Sequence, residues 1–196
     1  MGIKLREEIE MGFFSKRKIQ GDELLNYLDF LGEEWKFRAF QEKEASAYTD
    51  ALTRFDPKAA AKNADAYAEL AGAASRLAQS AAELIRRKDA LKTVPDKATS
   101  CYFAWHAAYT DYLAWALAQA DTIEDKMAGN PTDAAALKDL QQKSEQSRAE
   151  AETEEQKLLK QLDLSQADIE QLHDRATQAA AQDTWRPRVI TRKPKR

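Results

Sequence analysis

Three proline-centred turn signals constrain this chain more than anything else in it: FDPK at 55–58, TVPDK at 93–97 and GNPTD at 129–133. Each pairs Pro with Asp or Asn, the chemistry of turns and helix starts. Between them lie proline-free runs of more than thirty residues. A helix interior tolerates proline poorly, so these runs are free to be helical from end to end. Only six Gly and five Pro occur in 196 residues, too few for the many turns of a sheet protein. Abundant Ala with scarce Val and Ile favours helix as well.

Helices are therefore expected at about 22–54, 57–92, 97–128, 132–162 and 165–182. Asp56 can cap a helix with Pro57 at its first position. Gly129-Asn130 can end one helix, and Thr132 or Asp133 can cap the next. Ser165 and Asp168 have capping-box spacing. The first three helices would each be roughly 50 Å long, and short turns between helices of similar length make an all-α, up-and-down antiparallel bundle. The expected organisation is a flexible or amphipathic segment at 1–20, a helical bundle at 21–183 and a basic, extended or disordered tail at 184–196.

The second helix has the clearest period. Tyr67, Leu70, Ala74, Leu77, Ala81, Leu84, Lys88 and Leu91 alternate spacings of three and four, as in a coiled-coil seam. A dimerising zipper is one reading. A seam inside the bundle is the preferred one, because flanking helices of equal length are at hand. The first helix is aromatic, with Tyr27, Phe30, Trp35, Phe37, Phe40, Tyr48 and Phe55. Folding at residue 56 sets Phe30–Phe40 level with 82–72, and folding again at 95 brings 118–108 alongside. Large side chains on helices one and three would then face the small ones of GAASRLAQSAA on helix two. The fourth helix differs. QQKSEQSRAEAETEEQK (141–157) has only Ala as apolar residue, so it is expected to be docked by the leucines at its ends and solvated between them.

The third helix opens CYFAWHAAYTDYLAW (101–115). It is apolar nearly all round, as a central core helix would be. His106, Thr110, Asp111 and Gln119 argue against a membrane span. Asp111 needs a partner if buried, and Arg38 or Arg76 lies at a suitable level. Cys101 and His106 stand about 140° apart on the helical wheel, so they do not face each other as a nucleophile and its base would. Glu170-x-x-His173 is a lone half of a di-metal motif, since Phe103 precedes His106 at the matching spacing. A solvated Glu170–His173 pair is preferred. No phosphate loop, nucleophile elbow or H-E-x-x-H occurs. No catalytic residue, metal or cofactor is assigned.

The net charge of −3 hides an asymmetry. Residues 184–196 carry six positive charges and no acid, so the rest sums to −3 − 6 = −9. Trp185 with Arg186, Arg188, Arg192, Lys193, Lys195 and Arg196 could meet an anionic partner, nucleic acid or an anionic membrane surface. One Cys and no secretory-type apolar run near Met1 fit a cytoplasmic protein. The leading expectation is a non-catalytic interaction or scaffold protein using the polar fourth helix and basic tail, with a protein partner and room for self-association. The alternative is a small apolar-ligand binder, with Trp35, Trp105, Tyr109, Asp111 and Trp115 lining an inter-helix pocket. A bundle metalloprotein or enzyme using Asp111, His106 or Glu170 with His173 comes third.

Overall fold

The computed structural model describes residues 21–56 and 64–185. The described residues are all-α, with five helices: α1 Asp22–Arg54, α2 Ala64–Asp89, α3 Thr99–Ala128, α4 Ala134–Leu162 and α5 Gln166–Ala181. A single 3-10 turn, Asp96–Ala98, leads into α3. Helices α1 to α4 pack in sequence as an up-and-down bundle, and α5 packs back on α1. The tail from Arg186, the segment 1–20 and the expected helix start at Pro57 lie outside the described residues.

The turns use the expected chemistry. Gly129 closes α3 at φ 73°, the left-handed region where glycine carries no Cβ penalty. Asp133, rather than Thr132, caps α4 by accepting from the backbone of Ala135 and Ala136 at 3.1 and 2.9 Å. Ser165 and Asp168 form a complete capping box at the start of α5. Ser165→Ala removes one half of that box, and urea denaturation of the variant is expected to show about 1 kcal/mol less stability.

The seam of α2 faces inward. Leu70, Ala74, Leu77, Ala81, Leu84 and Lys88 are all buried, so the zipper period serves the fold within the chain. Register between α1 and α2 differs from the expected one. The ion pairs Arg54–Glu69 and Glu34–Lys88 centre the fold near residue 61, not 56. The stretch Phe30–Phe40 therefore lies beside Leu84, Cys101, Trp105 and Tyr109 in one core cluster. The small residues Ala73, Ala74 and Ala78 meet Tyr48, Ala116 and Ala120 in a second cluster. The expected facing of Phe30–Phe40 and the aromatic part of α3 against the small residues of α2 is not formed; at the level of those alanines Tyr48 is large, and Ala116 and Ala120 are small.

Helix α4 is docked along its length, which corrects the expectation of a solvated middle. Ser144, Ala151 and Glu155 are buried between the leucine ends. The inward positions 137, 140, 144, 147, 151, 155, 158 and 162 keep a spacing of three and four, but Ser, Ala and Glu occupy its centre. Helix α3 also departs from expectation. It is buried on one side only, and Phe103, Ala107, Thr110, Ala114, Leu117 and Asp121 form an exposed stripe on the other.

Candidate binding surfaces

The third helix has two faces, and each builds a candidate surface. Its inner face begins over a buried polar cluster. Glu155 of α4 accepts from Trp35 Nε1 of α1 and Trp105 Nε1 of α3, each at 3.0 Å. Arg38 Nη2 reaches the same carboxylate at 2.9–3.0 Å, and its guanidinium lies 4.6 Å from the Trp105 ring centre. One carboxylate thus ties three helices together through charge-assisted bonds. Glu170 and His173 are both solvent-exposed, as expected, but His173 of α5 stacks on Trp35 at 3.8 Å. Desolvation against that ring, with Arg38 near, holds the His173 imidazole below its ordinary value. Glu170 accepts from Gln166 instead.

A second buried pair lies beside the first. Lys88 and Glu34 are fully buried and paired, with the Lys88 ammonium 4.3 Å from the Tyr102 ring centre. Burial raises the Glu34 carboxyl and lowers the Lys88 amine, each toward its neutral form, and the pairing opposes both. Cys101, also buried, is a thiol pushed up to about 12 by desolvation, which leaves it protonated and unreactive. His106 turns away from it and meets Asp89 at 3.0 Å. Among the described residues no group of three His, Cys, Asp or Glu side chains is placed to hold a metal ion.

Above the Glu155 cluster the inner face of α3 opens into a cleft of about 160 Å³ between α1, α3 and α4. Trp105, Tyr109, Tyr112 and Trp115 form its aromatic wall, with Ser144 and Arg148 of α4 opposite. Arg148 joins Glu152 at 2.9 Å and Glu42 of α1 at 3.5 Å. Three of the five residues proposed for a pocket, Trp105, Tyr109 and Trp115, meet here. Trp35 does not; it is held in the core by Glu155 and His173. Asp111 does not either. Its partners are Lys143 Nζ at 2.8 Å and Ser147 Oγ at 2.5 Å, both on α4. Arg38 is engaged by Glu155, and Arg76 is exposed on α2. Asp111 is thus a docking residue for α4.

The outer face of α3 is the exposed stripe. Phe103 is 63% exposed and Leu117 44%, the two ends of a run whose centre is Ala107, Thr110 and Ala114. No described helix is long and apolar enough to cross a membrane. Trp185 is fixed to the bundle, its ring edge-on to Phe40 at 5.2 Å. Arg87 grips Asp183 just before it, holding that carboxyl down at about 2.

Comparison with family models, with curated proteins and with solved structures finds no match to this chain.

Proposed function

We propose that this is a non-catalytic interaction protein, and that the first partner of its bundle is a second copy of the chain. The exposed stripe on α3 carries this reading. An outward row at coiled-coil spacing is what a helix needs to receive another helix. The row is also nearly self-complementary. Phe103 and Leu117 stand seven residues either side of Thr110, with alanines between. An antiparallel two-fold axis at Thr110 sets Phe103 of one copy against Leu117 of the other, with small residues facing small ones at the centre. A two-fold contact requires that kind of match. Burying apolar side chains otherwise left in water supplies the driving force.

Sedimentation equilibrium over about 1 to 200 µM tests the proposal, a range that captures a micromolar dimer. The wild type is expected to pass from monomer to dimer. Phe103→Glu and Ala114→Arg are expected to stay monomeric with unchanged circular dichroism, since both sites are exposed. A wild type that stays monomeric throughout, or variants that dimerise equally well, would overturn it.

The basic run from Arg186 to Arg196 is the second surface of this reading, offered to an anionic partner from its anchor at Trp185. Its support is the contrast of charge with the acidic remainder of the chain. The buried, protonated Cys101 thiol suits a cytoplasmic setting.

A further inference from the structure

The cleft on the inner face of α3 has no part in the self-association just proposed, and two features set it apart. The first is its composition. An aromatic wall of two Trp and two Tyr meets a polar rim that includes Arg148 and Gln41. Apolar walls with a few polar groups are the usual make-up of a small-molecule site. The volume, about 160 Å³, matches the size of cavity that accepts a single aromatic ring, about 150 Å³.

The second feature is in the wall itself. Tyr109 is 1% exposed and its Oη has no hydrogen-bond partner. The indole Nε1 of Trp115 is likewise buried and without one. Buried polar atoms nearly always have partners, and leaving them unmet is costly. The other polar aromatic atoms nearby are met: Tyr48 Oη accepts from Gln119 at 3.0 Å, and Trp35 and Trp105 donate to Glu155. The two unmet groups fall together on two of the four residues of this wall, Tyr109 and Trp115. Trp115 can only donate, and Tyr109 donates as well as accepts. A ligand serving both must bring acceptors.

We propose that the cleft binds a small, flat, single-ring aromatic molecule carrying a hydrogen-bond acceptor such as a carbonyl oxygen. The ring lies against Trp105 and Tyr112, and the acceptor takes the free N–H or O–H of Trp115 and Tyr109. A ring of the same shape without an acceptor leaves those groups unmet and is discriminated against.

The test is a titration of the full chain with acetophenone and, separately, with α-methylstyrene, which has the same shape with a methylene in place of the carbonyl oxygen. Indole N–H resonances are the readout, with the Trp115 signal identified by its loss in Trp115→Phe. Acetophenone is expected to shift the Trp115 indole N–H saturably, while that of Trp35, held by Glu155 outside the cleft, stays near its place. It is expected to bind about tenfold more tightly than α-methylstyrene, the scale of one well-made hydrogen bond. Tyr109→Phe is expected to weaken acetophenone several-fold, leave α-methylstyrene unchanged and melt no lower than the wild type, because it deletes an unpaired hydroxyl. Ser144→Trp, which fills the cleft from α4, is expected to abolish binding of both. Equal affinity for the two probes, or indole shifts that grow linearly without saturation, would overturn the proposal. So would a Ser144→Trp variant that keeps its fold and binds undiminished.

Discussion

Glu155→Ala is expected to lower the unfolding free energy by about 3–5 kcal/mol, the scale for removing one partner of a buried ion pair. The whole stability of a domain this size is of the order of 5–15 kcal/mol, so a loss of that scale is a large share of it. The cost has three parts. The Arg38 guanidinium, only 15% exposed, loses the carboxylate that compensates its burial. The indole N–H groups of Trp35 and Trp105, both in residues 2% exposed, lose their acceptor together. The space vacated cannot be refilled by rigid helices on three sides. Glu155→Gln keeps the shape and one acceptor, so it is expected to lose less. Guanidinium denaturation followed by tryptophan emission measures both, since two of the four indoles report directly on this carboxylate. A change under 1 kcal/mol in Glu155→Ala would mean that Arg38 and the indoles find water instead.

Lys88→Met is expected to be nearly as damaging, and its rescue is the more informative result. The single variant leaves Glu34 fully buried with neither oxygen paired, since its Oε2 already lacks a partner beside Lys88. A loss of about 3–5 kcal/mol at neutral pH follows. Removing both charges, in Lys88→Met with Glu34→Leu, is expected to recover stability to within about 1 kcal/mol of the wild type or to exceed it, because the desolvation of both ions disappears with them. The pH profile separates this account from a packing defect. Burial raises the folded-state carboxyl of Glu34 above its ordinary value of 4.5, and without Lys88 only the Arg38 charge is left to oppose the rise, while Glu155 adds to it. A raised folded value gives stability that is full below the unfolded value and is lost as pH rises through the folded one. The single variant should therefore be most stable in acid and weaken as pH climbs above about 4.5. The double variant should show no such slope. Equal slopes in the two would sink the assignment.

Much of the architecture can be read from the sequence because local chemistry carries it. Prolines at 95 and 131, the glycine at 129 and the Ser165–Asp168 box act within four residues of themselves. The seam of α2 is legible because its Leu and Ala repeat at a fixed period. Helix α4 was illegible for the opposite reason. Its inward face is Ser144, Ser147, Ala151 and Glu155, and a count of apolar residues finds nothing there. The spacing alone would have found the face, since leucines at 137, 140, 158 and 162 fall on the same three-and-four rhythm. Glu155 gave no local sign, because its donors lie 50 to 120 residues away. The partners of Asp111, Lys143 and Ser147, lie on that same helix α4, and not among the arginines of α1 and α2. The α1–α2 register failed through its pivot, which falls nearer 61 than Pro57. In the aromatic cleft, residue types single out Trp105, Tyr109 and Trp115, which the structure brings to one wall. They could not show that Trp35, on α1, turns to the core.

The seat of Trp35 also bears on the order in which the protein is made. Of the described helices α1 leaves the ribosome first, yet its aromatic side is finished by later ones: Glu155 of α4, then His173 of α5, with Trp185 following against Phe40. Contacts so distant along the chain form late, after the cost of closing a long loop has been met. A nascent chain that has emerged only as far as α3 lacks the Glu155 and His173 contacts of Trp35. Helix α1 is therefore left with part of its aromatic side uncovered until α4 and α5 have emerged.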